Sequence, residues 1–122
     1  MVIEIDLNSK TPIYKQIADK IIELIAKGKL NTNDRLPSVR NIADICGINP
    51  MTANKAYKIL EESGYITINK RSGAVVKDKD KVTDKEINNL KLSLLELYAS
   101  GMSVEEIKKT VDDYLEGLCY TN

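Results

Sequence analysis

Apolar residues recur along this chain with two different periods, and the changes of period divide it into elements. From position 13, Ile13, Tyr14, Ile17, Ala18, Ile21, Leu24 and Ile25 return every three or four residues, the spacing of one buried helix face, and Gly28 ends the run. Thr11-Pro12 supplies a cap and a first-turn proline, so a first helix is predicted after a short extended arm, Val2-Ile3-Glu4-Ile5-Asp6-Leu7. After the polar loop Asn31-Thr32-Asn33-Asp34, Ser38 is placed to cap a short second helix carrying Val39, Ile42, Ala43 and Cys46, with Gly47 as its stop. Asn49-Pro50 repeats the cap-and-proline device, and Ala53, Ala56, Tyr57 and Leu60 mark the inner face of a third helix running to Gly64. Two short helices across a tight glycine turn form a helix-turn-helix pattern.

The period then changes. Tyr65-Ile66-Thr67-Ile68 and Ala74-Val75-Val76 are β-rich and flank the turn Asn69-Lys70-Arg71-Ser72-Gly73, which predicts a hairpin with a basic tip. The charged stretch Lys77 to Lys81 reads as a linker. Beyond it, Thr83 with Glu86 opens a helix carrying Ile87, Leu90, Leu94, Leu97 and Tyr98 and closed by Gly101. Ser103 with Glu106 opens another, carrying Val104, Ile107, Val111, Tyr114, Leu115 and Leu118. The fold class that follows is mainly α with a small β-hairpin. A winged helix-turn-helix domain with an N-terminal arm is expected over residues 1–77, and a two-helix hairpin over residues 78–122.

Composition narrows what such an assembly can do. Eighteen Lys and Arg balance eighteen Asp and Glu overall, but residues 1–78 hold twelve basic against nine acidic side chains, and residues 79–122 hold six against nine. The helix-turn-helix part is therefore the cationic one. His is absent and the two cysteines, Cys46 and Cys119, stand far apart, so neither a metal-ligand spacing nor a disulfide framework is present. With no Gly-rich phosphate loop or nucleophile motif either, no catalytic residues and no cofactor are expected, and the chain does not read as an enzyme. The opening residues lack a signal-peptide pattern and no stretch has the length of a membrane span, so a cytoplasmic protein without a membrane partner is expected.

The candidate chemistry is recognition of double-stranded DNA. The second helix of a helix-turn-helix enters the major groove, so its early, outward residues are candidates for base edges: Asn49, Met51, Thr52, Asn54 and Lys55. Asn can pair with an adenine edge, Thr and Met can touch a thymine methyl, and Lys can reach guanine or phosphate. Arg35 and Arg40 flank the start of the second helix beside Ser38, where a phosphate backbone would pass, although Arg40 could equally pair with Asp44 four residues on. Lys70, Arg71 and Gly73 form the wing tip. In the tail, Ile87, Leu90, Leu94, Leu97, Tyr98, Ile107, Val111, Tyr114, Leu115 and Leu118 make apolar stripes that a hairpin of this size cannot hide, which points to a second copy of the chain. A winged helix that docks on another protein, without reading DNA, is the alternative from a different class.

The run Asp34-Arg35-Leu36-Pro37-Ser38-Val39-Arg40, followed by Ile42-Ala43, Gly47-Ile48-Asn49, Thr52, Ala56-Tyr57, Leu60-Glu61, Gly64-Tyr65, Gly73 and Val76, resembles the N-terminal domain of GntR-type transcription regulators over roughly residues 11–77. The lead-in Ile13-Tyr14-Lys15-Gln16-Ile17 and the two-helix tail with Gly101-Met102-Ser103-Val104-Glu105-Glu106 look like the YtrA-like branch. That resemblance implies a homodimeric repressor of a palindromic operator, commonly near genes for membrane transporters. It places Arg35, Ser38, Arg40, Asn49, Pro50, Thr52, Asn54 and Gly73 on DNA-contact positions. A small-molecule effector would have to use a cleft between modules or at the dimer interface, since the tail has no room for a ligand domain. The chain departs from the family pattern at Thr32-Asn33, where Pro-Gly is usual, so a differently shaped loop is expected there. It departs again at Pro50 and Met51, and at Arg71, which stands where the first of two wing glycines is usual.

Overall fold

A computed structural model describes residues 3–69, 73–78 and 82–120. Its elements run α1 (Ile13–Ala26), α2 (Val39–Cys46), α3 (Pro50–Glu62), β1 (Ile66–Asn69), β2 (Gly73–Val76), α4 (Asp84–Ala99) and α5 (Val104–Tyr120). They fall into two compact units, residues 1–79 and 80–122.

In the first unit, helical periodicity becomes a single core. Ile17, Ile21 and Ile25 of α1, Ile42 and Ala43 of α2, and Ala53, Ala56, Tyr57 and Leu60 of α3 are all buried. Ile66, Ala74 and Val76 close the core from the hairpin. The two alanines let α3 lie close against its neighbours, since a larger side chain at either position would have to displace packed atoms. The arm joins this core through Ile3 and Ile5. It is pinned by Gln16, whose Oε1 accepts from the Asp6 N–H at 2.9 Å while its Nε2 donates to the Asp6 and Thr11 carbonyls at 3.0 and 2.9 Å.

That clamp changes the expected start of α1. Thr11 does not cap it: the cap position is Pro12, without a side-chain hydrogen bond, and the Pro12 carbonyl accepts from the Lys15 and Gln16 N–H groups. The other caps form as expected. Ser38 Oγ accepts from the Asn41 N–H at 3.1 Å, and Asn49 Oδ1 accepts from the Met51 N–H at 2.8 Å ahead of Pro50.

The hairpin pairs antiparallel, Ile66 with Val76 through Asn69 with Gly73. A segment not expected from the sequence extends it. The Leu36 N–H donates to the Ala74 carbonyl, the Asn33 N–H to the Val76 carbonyl and the Val76 N–H to the Asp34 carbonyl, at 2.8–2.9 Å, and Arg35 bridges to Val75. The stretch from Asn33 to Leu36 thus lies beside β2 as a third strand-like layer. Asn33 has φ +72° and itself adopts the left-handed conformation that a glycine would favour.

The second unit is two capped helices. Glu86 reaches back to the Thr83 N–H at 2.8 Å and accepts from the Thr83 hydroxyl, while Ser103 Oγ accepts from the Glu106 N–H at 3.1 Å. Among its described side chains none is buried; Leu94, Ile107 and Leu118 are half-buried, and the other residues of the two stripes are exposed. No helix of the described chain is long and apolar enough to cross a membrane.

Candidate nucleic-acid interface

Gly47 sets the geometry of the helix-turn-helix. With φ +66° and ψ +38° it ends α2 in a left-handed turn, and three residues later Pro50 starts α3. The inner face of α3 is taken by Ala53, Ala56, Tyr57 and Leu60, so its opposite side carries Met51, Asn54, Lys55 and Lys58. Met51 is 79% exposed at the first turn. Lys58 lies a heptad beyond Met51 and one turn beyond Asn54, a spacing that could have identified it in the sequence as part of the same line.

The individual side chains are not equally free. Asn49, exposed, uses its side-chain carbonyl oxygen to cap α3, which leaves the two N–H groups of its amide as its remaining donors. Asn54, half-exposed, makes no side-chain hydrogen bond among the described residues and keeps both halves of the donor–acceptor pair that an adenine edge requires. Thr52 is half-exposed on the adjoining flank and Pro50 is exposed at the tip. Lys55 is not a free side chain reaching outward: its Nζ lies 4.0 Å from the centroid of the Tyr14 ring on α1.

Beside α3, Arg35 and Arg40 are exposed, and neither has a carboxylate within ion-pair distance among the described residues, so Arg40 does not pair with Asp44. Arg35 is held by its backbone bridge to Val75, and Arg40 by the first turn of α2. Ser38, in capping α2, accepts with its oxygen and keeps its hydroxyl proton available. A buried residue holds the segment in place: the Tyr57 hydroxyl donates to the Pro37 carbonyl at 2.6 Å, tying α3 to the turn between the two arginines. Burial, followed by the nearby Cys46, pushes this phenol well above its ordinary value of 10.0, and burial also raises the Cys46 thiol. At the other end of α3, Glu61 Oε2 accepts from the Ile68 N–H at 2.9 Å and fastens the hairpin to the helix. Gly73 enters β2 at φ +75°. The expected contacts Lys70 and Arg71 lie outside the described residues.

Helix dipoles divide along the same line. None of α1, α2 and α3 has an acidic residue in its first turn, whereas α4 carries Asp84 and Glu86 there and α5 carries Glu105 and Glu106. The first turns of the first three helices thus add no negative charge of their own to the positive helix ends, while those of the tail do.

Comparison with known proteins agrees with the fold and the motif. The model of the bacterial regulatory proteins of the gntR family matches residues 13–76. The transcriptional repressor YtrA of Bacillus subtilis is 35% identical over 117 residues, covering 91% of this chain and 90% of its own. Among solved structures, a transcriptional antiterminator from Listeria monocytogenes superimposes with a TM-score of 0.85 at 33% identity, over 97% of this chain and 92% of that one. YtrA from Sulfolobus acidocaldarius, a GntR-family transcription factor, gives a TM-score of 0.66 at 48% identity, over 79% of this chain and 99% of its own. With more than half its length matching the family model and a repressor related across nine-tenths of it, the chain belongs to the gntR family of bacterial regulatory proteins, in its YtrA-like branch, and is a DNA-binding transcription regulator.

Proposed function

We propose that the chain works as a homodimeric repressor in the cytoplasm, placing α3 of each copy in a major groove of a palindromic operator. The observation that carries this is the exposed outer side of α3 together with Arg35 and Arg40, two exposed side chains with no carboxylate within ion-pair distance among the described residues. Guanidinium groups held this way suit bidentate contact with phosphate. Asn54 is then the base reader, with Met51 offering a thymine methyl a contact, while Thr52 on the flank offers its hydroxyl to the groove wall. Asn49 contributes N–H donors from the helix start, and Ser38 a hydroxyl to the backbone.

The second copy is supported by the tail. Leu90 is 54% exposed and Tyr114 67%, and no side chain described in residues 82–119 is buried, so the apolar stripes of α4 and α5 find their cover on another molecule. The repressive sense rests on the relationship to Bacillus subtilis YtrA, itself named a repressor. An effector is not needed for any of these contacts.

Selection from a random duplex pool tests the proposal directly. The expected product is an inverted repeat with half-sites a whole number of helical turns apart, bound two chains per site. Its affinity should fall steeply as salt rises, with a log–log slope of about −0.9 per neutralised phosphate. Failure to enrich any sequence at low salt would refute operator recognition and favour a protein partner for the same surface.

A further inference from the structure

We propose that Tyr14 is a positioning residue that fixes Lys55 as a contact to backbone phosphodiester, at the junction of α1 and α3, rather than to a base edge. The inference rests on the DNA-binding role of α3 and assigns one of its cations a different target from the one its place in the recognition helix suggests. The Lys55 ammonium sits 4.0 Å from the Tyr14 ring centroid, well within the range of a cation–π contact. Tyr14 is itself half-buried and packed against the core, so the ring is a fixed platform. An aromatic face restrains a cation without neutralising it. No carboxylate lies within ion-pair distance of Lys55 among the described residues, so no anion competes for it there, whereas Lys15, next to Tyr14 on α1, is taken up by Asp19 at 3.0 Å.

Groove dimensions decide what such a cation can touch. A helix with its side chains is about 10–12 Å across and the major groove about 12 Å wide, so the leading edge of α3 meets base edges while its flanks meet the phosphate walls. The contact with Tyr14 holds Lys55 on the α1 flank. Met51, Asn54 and Lys58 make up the leading line. To reach a base, Lys55 would have to leave the ring.

Full-length chain, the selected operator duplex and an unrelated duplex of equal length are sufficient to test this, with Kd measured across a salt series. Lys55→Gln should weaken binding by the same factor on both duplexes and reduce the salt slope by about 0.9, the signature of one lost phosphate contact. Tyr14→Leu should weaken both about two- to fivefold, the scale of an exposed cation–π contact, and Tyr14→Phe, which keeps the ring face, should restore binding. Added to Lys55→Gln, Tyr14→Leu should change nothing further. Loss confined to the operator would make Lys55 a base reader and overturn the proposal. So would a Tyr14→Leu defect that persists without Lys55, which would be merely structural, or a Tyr14→Phe defect, which would assign the effect to the hydroxyl. Wild-type chain that binds neither duplex at low salt would instead refute DNA recognition itself.

Discussion

Replacing Tyr57 by Phe removes one oxygen from the centre of the DNA-binding unit and should do so with a pH-dependent cost. The side chain is 1% exposed and its hydroxyl donates to the Pro37 carbonyl at 2.6 Å, while Pro37 itself is only half-buried. Water can therefore repair part of the loss at the carbonyl, and the penalty near neutral pH should be about 1 kcal/mol, the middle of the range for a neutral hydrogen bond. For a unit of this size that corresponds to a fall in Tm of about 4–8 °C. The sign reverses in alkali. Because burial raises the folded phenol well above its ordinary 10.0, the folded state keeps its proton where the unfolded state loses it. The contribution of Tyr57 is thus complete below about pH 10 and declines above it, at up to about 1.4 kcal/mol per pH unit. Phe has no such decline, so the two stability curves should cross between about pH 10.5 and 11. Urea unfolding followed by far-ultraviolet ellipticity at a series of pH values measures both effects. Parallel curves from pH 7 to 11, or equal stability at pH 7, would refute the assigned hydrogen bond and the buried phenol together.

Four further substitutions probe separate parts of the molecule. Arg40→Ala should weaken operator binding by about 1–3 kcal/mol and lower the salt slope without altering the unfolding curve; unchanged Kd would remove Arg40 from the interface. Gly47→Ala should lose about 1–2 kcal/mol of stability from the backbone alone, since a Cβ there meets no atom within 4 Å and the strain comes only from φ +66°; chemical denaturation reads the loss, and Gly47→Asn should recover part of it. Leu94→Asp places a charge in the proposed dimer contact and should yield a monomer in sedimentation velocity, a persisting dimer being the contrary result. Hydrogen bonds from the Thr83 hydroxyl, then from the backbone of Glu86 itself and from that of Thr83, hold the Glu86 carboxyl below its ordinary 4.5. The α4 cap should therefore be intact above that pH and be lost as pH falls through the lower folded value. The Thr83 amide chemical shift should follow that titration in wild type and stay flat in Glu86→Gln.

Which features could be read from the chain follows from how far each interaction reaches. Helical stripes were legible because burial at Ile17, Ile21, Ile25, Ala53, Ala56 and Leu60 acts on every turn and leaves a period, and caps such as Ser38 and Asn49 were legible because their bonds span two or three residues. The strand-like stretch from Asn33 to Leu36 leaves no such trace: it pairs through backbone atoms, so side-chain alternation has nothing to report, and Asn33 adopts the left-handed conformation without a glycine to announce it. Thr11 looked like a cap because proximity favoured it, yet the Gln16 amide, clamping the arm from a turn later, left the cap position to Pro12. The interface divides in the same way. Helical spacing identifies Asn54 and Lys55 as outward, and the same spacing would have added Lys58, but only the packing of α1 on α3 brings the Tyr14 ring under one of them. Of two cations on one exposed helix face, then, a neighbour distant in sequence leaves Lys58 to the groove and sends Lys55 to its wall, and substitution at Tyr14 should shift the phosphate share of binding without touching α3.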